Sequence, residues 1–240
     1  MLQRDGQIVA KAVSEELGLS QDTIRRDLRE LAQEGLLQRV HGGALPISLA
    51  LADFAGREQI AVDEKAAIGR TAAAMIAPDQ VVFLDGGTTT AQLVRHLPPT
   101  LRATVVTHSA TIAAALATHP TVEVILIGGR LFKHSIVAVG ATAIATIHQI
   151  RADLYFMGVT GIHHEAGLST GDYEEAQVKR AMSTNAAETI VLASQEKLGA
   201  ASPYLISKLD EVSSIIVSEQ LPEERVAPFQ KLGVTVIRAR

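Results

Sequence analysis

The chain has 240 residues and no cysteine, which excludes disulfides, thiolate metal sites and a cysteine nucleophile. Aromatic residues are scarce at 3%, against 47% hydrophobic residues in all, the balance of an α/β core built from Ala, Val, Ile and Leu. No charge-free apolar run reaches the ~18 to 20 residues that a bilayer demands. The start also lacks the basic-then-apolar pattern of a secretory signal. The expectation is a cytoplasmic protein with no membrane contact. Excess positive charge is missing too, since the net charge is −4, so any nucleic-acid contact has to come from a local patch. The length suits one large domain, or one domain with a small module.

What is present centres on Val81-Val82-Phe83-Leu84-Asp85-Gly86-Gly87-Thr88-Thr89-Thr90. A continuous apolar, β-branched run reads as a buried parallel strand. Two glycines then allow a sharp turn, and Ala91 to His96 reads as the helix that follows. Thr88, Thr89 and Thr90 fall where that helix begins, beside N–H groups with no intrahelical partner, an arrangement that attracts phosphate. Neither a Walker-A lysine nor GxGxxG is present, so a nucleoside triphosphate loop does not fit. An ordinary tight strand-to-helix turn fits the spacing as well.

Residues 1–46 form a segment of another kind. Lys11 to Leu17 reads as a helix, broken by Gly18-Leu19-Ser20. Ser20 is a good N-cap for a second helix with Asp22 in its first turn, and Gly35 ends it. Ile24, Leu28 and Leu31 share one apolar stripe, while Gln21, Thr23, Arg25, Arg26 and Arg29 lie off it. Leu36 to Val40 reads as a strand and His41-Gly42-Gly43 as a turn, so the whole has helix-turn-helix logic with a β-wing. Six Lys/Arg face seven Asp/Glu in this segment, so charge leaves open both a DNA-reading module and a solvated helical hairpin.

Residues 47–62 read as a linker and 63–240 as an α/β domain. After a helix over Asp63 to Ile76, apolar runs at Ala103–Thr107, Val122–Ile127, Leu154–Gly158, Thr189–Ala193, Val212–Val217 and Val234–Ile237 predict strands. Helical stretches near 109–118, 140–149, 173–187 and 222–232 lie between them. Such alternation predicts a mainly parallel sheet covered on both faces, with ligands beyond the carboxyl ends of the strands. Those ends carry Asp85 and Gly87 to Thr90, then His108, then Gly129, Arg130 and Lys133, then Asp172, Glu175 and Lys179, and finally Lys197. Cations with helix starts suit phosphate and carboxylates suit sugar hydroxyls, so a phosphorylated sugar matches best. Glu175 and Lys179, four apart on a helix, equally suit a surface ion pair. His163-His164-Glu165 offers two imidazoles and a carboxylate, but neighbours on a chain face different ways, so a loop and no metal are expected. Ser194-x-x-Lys197 lacks the companion motifs of a penicillin-binding site.

The stretches Leu17 to Leu28 and Gly35 to Ala44 closely resemble the DeoR family of bacterial transcriptional regulators. In that family a full helix precedes the glycine that matches Gly6, whereas Met1 to Asp5 is all that stands before it here, so the first helix is expected to be nearly absent. The larger half resembles the family's effector domain through Lys65, Asp85 to Thr90, Thr107 to Ser109, Gly128-Gly129, Gly140, Gly158 to Gly161, Gly167, Glu175, Lys179 to Met182 and Lys197. The resemblance implies a Rossmann-like sheet of the ribose-5-phosphate isomerase and glucosamine-6-phosphate deaminase type behind a small, incomplete winged helix-turn-helix. It also implies a repressor of a sugar-metabolism operon, without cofactor or catalytic residues, released from double-stranded operator DNA by a phosphorylated sugar and working as a homo-oligomer, dimer or tetramer. DNA would be met by Ser20, Gln21, Thr23, Arg25, Arg26, Arg39 and His41. His108, Gly86 and Ser194 depart from the family's usual Asn, Ser and Asp, which bears on which ligand is bound. A sugar-phosphate isomerase or deaminase, with Glu175 as base, is the alternative; a DNA-reading module has no use in such an enzyme. An effector module that binds no DNA is a third reading.

Overall fold

The computed structural model describes residues 1–2, 7–48 and 52–240. Residues 3–6, on which the expectation about the first helix largely falls, lie outside the described residues, as do 49–51 within the linker.

The small unit contains β1 (Ile8–Val9), α1 (Ala10–Leu17), α2 (Gln21–Gln33), β2 (Gln38–Val40) and β3 (Gly43–Leu45). Gly18 turns through the left-handed region at φ 65 to end α1, a conformation that favours glycine. Ser20 caps α2 by accepting from the Thr23 amide at 3.1 Å. The strands pair in the order β1-β3-β2, antiparallel, which makes the wing. Ile24 and Leu28 bury with Ala10, Leu37 and Ala44. Leu31, the third member of the stripe read from the sequence, is 36% exposed, and Leu17 is 54% exposed. This core closes over the first two turns of α2 and leaves Leu31 at its rim.

The stretch read as a plain linker holds α3 (Phe54–Glu58), capped where Asp53 Oδ1 accepts from the Gly56 amide at 2.9 Å. Ile47 bridges in parallel to Ala201. Five residues are too few to display a helical period, so composition pointed to coil.

The large unit is a seven-stranded, wholly parallel sheet. Its strands are β4 (Val81–Leu84), β5 (Thr104–Thr107), β6 (Glu123–Leu126), β9 (Ala152–Gly158), β12 (Ala186–Leu192), β14 (Ser214–Ser218) and β15 (Thr235–Ala239), in the order β15-β14-β12-β9-β4-β5-β6. Both faces are apolar, as the period of two requires in a doubly covered sheet. Phe83, Val106, Tyr155, Met157, Val191 and Ile215 face one core. There they meet α7 (Ala141–Ile147), α8 (Tyr173–Thr184) and α9 (Glu223–Lys231). Val82, Leu84, Val105, Phe156, Ile190 and Ile216 face the other, under α4 (Val62–Ala73), α5 (Thr88–Arg95) and α6 (Ala110–Leu116).

Two smaller pieces carry no strong pattern and were not read from the sequence. One is the hairpin β7 (Arg130–Phe132) and β8 (Val137–Val139); the other is a sheet of β10 (Gly161–His163), β11 (Gly167–Thr170) and β13 (Tyr204–Ser207). The chain leaves β4 outward through β5 to β6, then returns to β9 on the other side of β4. The order therefore reverses between β4 and β9, and a crevice opens beyond their carboxyl ends.

Candidate functional site

Asp85 directly follows β4 and anchors that crevice. It is fully buried. Its Oδ1 accepts from the Gly86 amide at 2.8 Å and faces His108 Nε2 at 2.8 Å. Its Oδ2 accepts from the Gly158 amide at 2.8 Å and from Lys179 Nζ. His108 in turn sets Nδ1 2.9 Å from the Ala138 carbonyl. Lys179 also donates to the Gly158 carbonyl at 3.0 Å and lies 3.5 Å from Glu175 Oε1. Thr170 donates to the other oxygen of Glu175 at 2.8 Å. Burial alone would raise the Asp85 carboxyl, but the Lys179 charge and the His108 hydrogen bond hold it well below the carboxylate range. Burial would likewise lower Lys179, and the charges of Asp85 and Glu175 raise it instead. Glu175 and Lys179 are thus 7% and 3% exposed in side chain, members of a buried cluster rather than a surface pair.

Above this cluster the chain turns at Gly87, φ 124, into α5. Thr88 to Thr90 form its first turn, all buried. Lys197 reaches them from beyond β12, donating to Thr89 Oγ1 at 3.2 Å and to the Leu192 carbonyl at 3.3 Å. Burial lowers the Lys197 ammonium to about 8; the neighbouring Lys65, Arg57 and Lys179 push the same way, and Glu196 opposes them. Lys65, buried on α4, lies 3.9 Å from Glu196 Oε1 and donates to the Arg57 carbonyl at 2.7 Å. Arg57, from α3, sets its guanidinium 3.5 Å from Ser135 Oγ.

These groups line one small cavity of about 20 Å³, walled by Gly86 to Thr90, Gly158 to Thr160, Glu175, Lys179, Glu196, Lys197, Lys65 and Arg57. Two of its lining side chains, Thr90 through Oγ1 and Glu196 through Oε2, bury an oxygen with no hydrogen-bond partner among the described residues. Buried polar atoms are rarely left unpaired without a reason.

The structure gathers Gly87, Thr88, Thr89, Thr90, Glu175, Lys179 and Lys197 at the cavity, as read from the sequence. Asp85 and His108 lie directly beneath it. Asp172 stands one step back, capping α8 by accepting from the Glu175 amide at 2.9 Å. Gly129, Arg130 and Lys133 are elsewhere and exposed; Arg130 pairs with Glu174 on the surface. They lie on the β7–β8 hairpin and the turn before it, which brings Ser135 and Ala138 to the site but leaves these three on its exposed side. Arg57, Glu196 and Ser135 were missed. Lys65 had left a signal, a cation interrupting the alanine face of its helix.

In the small unit, α2 turns Gln21, Arg25 and Arg26 outward, with Thr23 half-buried and Arg39 and His41 exposed on the wing. Arg25 and Arg26 have side chains 59% and 65% exposed, loosely paired with Asp22 and Asp27. His163, His164 and Glu165 are close enough together to suggest a metal. His163 Nδ1, however, accepts the amides of Glu165 and Ala166 at 3.1 and 3.3 Å. A neutral imidazole so bonded carries its proton on Nε2 and has no lone pair to offer.

Residues 1–49 match the DeoR-like helix-turn-helix domain, and residues 60–219 match the DeoR C terminal sensor domain. The HTH-type transcriptional regulator GlpR of Haloferax volcanii is 36% identical over 235 residues, spanning 97% of this chain and 91% of that protein. The glycerol-3-phosphate regulon repressor of Escherichia coli K12 is 30% identical over 200 residues, spanning 83% and 79%. Among solved structures, ribose 5 phosphate isomerase A from Neisseria gonorrhoeae is 12% identical at a TM-score of 0.41, over 59% of this chain and 52% of that one; no chemistry follows from so distant a likeness. With an exposed, capped second helix and wing at one end and a lined cavity at the strand reversal of the other, matched in turn by the two halves of one family, the chain belongs to the DeoR family of helix-turn-helix transcriptional regulators.

Proposed function

We propose that this regulator is a repressor of a sugar-metabolism operon, released from its operator by a phosphorylated sugar or a closely related metabolite. Residues 1–46 read DNA, 63–240 sense the effector, and 47–62 join the two. The observation that carries the effector's class is the convergence of the first turn of α5 and Lys197 on one cavity. A phosphate there meets free helix N–H groups, threonine hydroxyls and a buried cation. Glu175 and Glu196 line the same space and suit sugar hydroxyls. The name of one relative, a glycerol-3-phosphate regulon repressor, supports the same class.

Recognition without turnover fits this chemistry. A base must reach a substrate carbon, and both oxygens of Asp85 are already taken by four partners while Glu175 is held by Thr170 and Lys179. In DNA binding, Gln21, Thr23, Arg25 and Arg26 enter the major groove with Arg39 and His41 on the flanking backbone, and Ser20 acts through its cap. The working form is a cytoplasmic dimer or tetramer, because a two-fold protein on a palindromic site doubles its contacts; light scattering should give a mass well above 25.5 kDa.

Effector release is linkage: a ligand that favours the DNA-incompetent arrangement lowers operator affinity by its differential binding. Calorimetric titration of triose to hexose phosphates and their unphosphorylated parents, against wild type and Thr89→Asp, tests the site. Wild type should prefer the phosphate esters, and the added carboxylate should abolish that preference. Equal binding by both proteins, or preference for the bare sugar, overturns the reading.

A further inference from the structure

The cavity has a wall that belongs to neither the sheet nor its helices. Arg57 sits on α3, between the wing and the sensor unit, and lines the cavity with Lys65, Lys179 and Lys197. The side facing the sheet is firmly held, with Asp85 in four hydrogen bonds and Lys179 in contact with Asp85, Glu175 and Gly158. Helix α3 is held lightly. None of its five residues is buried. Among the described residues its hydrogen bonds outward are the Phe54 amide on the His134 carbonyl at 3.1 Å, the Lys65 ammonium on the Arg57 carbonyl at 2.7 Å, and the 3.5 Å contact of the Arg57 guanidinium with Ser135.

Size makes this asymmetry consequential. At about 20 Å³ the cavity has room for about one water, and a phosphorylated sugar is several times larger. Some wall has to shift when one enters, and the lightly tied wall shifts at least cost. That wall also carries a guanidinium, whose planar fork matches a phosphate's oxygens. The carboxylates of Glu175, Asp85 and Asp53 act on it through space, and its partner across the cavity is the Ser135 hydroxyl at 3.5 Å. An arriving phosphate offers it a stronger one.

We propose that Arg57 is an effector-contacting residue, and that its move from Ser135 to the effector's phosphate shifts α3 and so reports occupancy to the DNA-binding unit. The proposal rests on the cavity being the site of a phosphorylated sugar. The mechanical path is short. Strand β3 of the wing ends at Leu45, and Ile47 is already bridged to Ala201 in the loop that follows Lys197. One end of the linker therefore touches the loop that follows the cavity residue Lys197 while α3 itself lines the cavity, and a shift in α3 changes where the wing is tethered.

Hydrogen exchange on the full chain, with a panel of triose to hexose phosphates, tests this without knowledge of the operator. In wild type an effector should slow exchange at residues 86–90 and also change it at residues 54–60. Arg57→Ala should bind about ten- to a hundred-fold more weakly, the size of a lost charge-assisted bond. At saturation it should still protect 86–90 and lose the response at 54–60. Arg57→Lys keeps the charge without the fork, should weaken binding by less, and serves if the alanine variant misfolds. A wild type that protects 86–90 with no change at 54–60, or an Arg57→Ala protein whose linker responds as wild type does, overturns the proposal and leaves the site standing. If no phosphate ester protects 86–90, the reading of the site falls and takes this one with it.

Discussion

Asp85→Asn is the sharpest test of how the crevice is built. The substitution keeps the size and one acceptor oxygen but removes the charge that faces Lys179. The ammonium would stay 3% exposed, with the Gly158 carbonyl at 3.0 Å and Glu175 at 3.5 Å as its remaining partners. The new carboxamide also brings an NH₂ group into a space where the amides of Gly86 and Gly158 already donate. Breaking one side of a buried ion pair costs about 3–5 kcal/mol, a large share of the ~5–15 kcal/mol that holds a domain folded. With a urea slope of ~3 kcal/mol per M, the unfolding midpoint should fall by roughly 1 M or more. Asp85→Asn with Lys179→Met should recover part of the loss, since the buried charge is then gone. Acid sharpens the test. The folded carboxyl is held below its unfolded value of ~3.9, so its contribution is full at neutral pH and is lost as pH falls beneath that value. The gap between wild type and variant should therefore narrow below about pH 4. A midpoint shift under ~0.3 M, or a double variant no more stable than the single one, would refute the idea that this pair organises the crevice.

The remaining predictions concern the ligand, the turn and DNA. Lys197 is cationic below about 8, and a phosphate monoester is a dianion above ~6; calorimetry should find effector affinity rising to about pH 6.5, level to about 8, then falling up to ten-fold per unit, and Lys197→Met should remove the alkaline limb. Gly87→Ala forces an L side chain to φ 124 and should lower stability by about 1–3 kcal/mol in thermal unfolding, with no space clash to add to it. Arg25→Ala or Arg26→Ala should weaken operator binding by about 1–3 kcal/mol in gel-shift titrations, while calorimetry finds effector affinity unchanged; full operator affinity in both would dismiss α2 as the reading helix.

Much of this molecule was legible along the chain because much of it is local. The Ser20 cap and the Gly18 and Gly35 turns set the bounds of α1 and α2 within a residue or two. The apolar runs named the strands of the parallel sheet, since burial on both faces leaves a continuous apolar signature. Asp85-Gly-Gly-Thr-Thr-Thr was recognisable as a strand-to-helix turn. Short or half-exposed pieces were not legible. Helix α3, the β7–β8 hairpin and the β10–β11–β13 sheet are too brief to show a period.

Tertiary structure alone decided who meets whom at the crevice. Asp85 touches the Gly158 amide 73 residues on and Lys179 94 residues on, and nothing local encodes those encounters. Strand order made the selection. Placing β9 beside β4 brought Gly158 and Lys179 to Asp85, while the β7–β8 hairpin turned Ser135 to the cavity and left Arg130 and Lys133 exposed. It also turned the Glu175–Lys179 spacing, equally good for a solvated pair, into a buried network, because α8 packs on the sheet with that face inward. Arg57 joined the cavity for the same kind of reason: its segment carries no pattern, and only the docking of α3 beside Ser135 and Lys65 gave its charge a place.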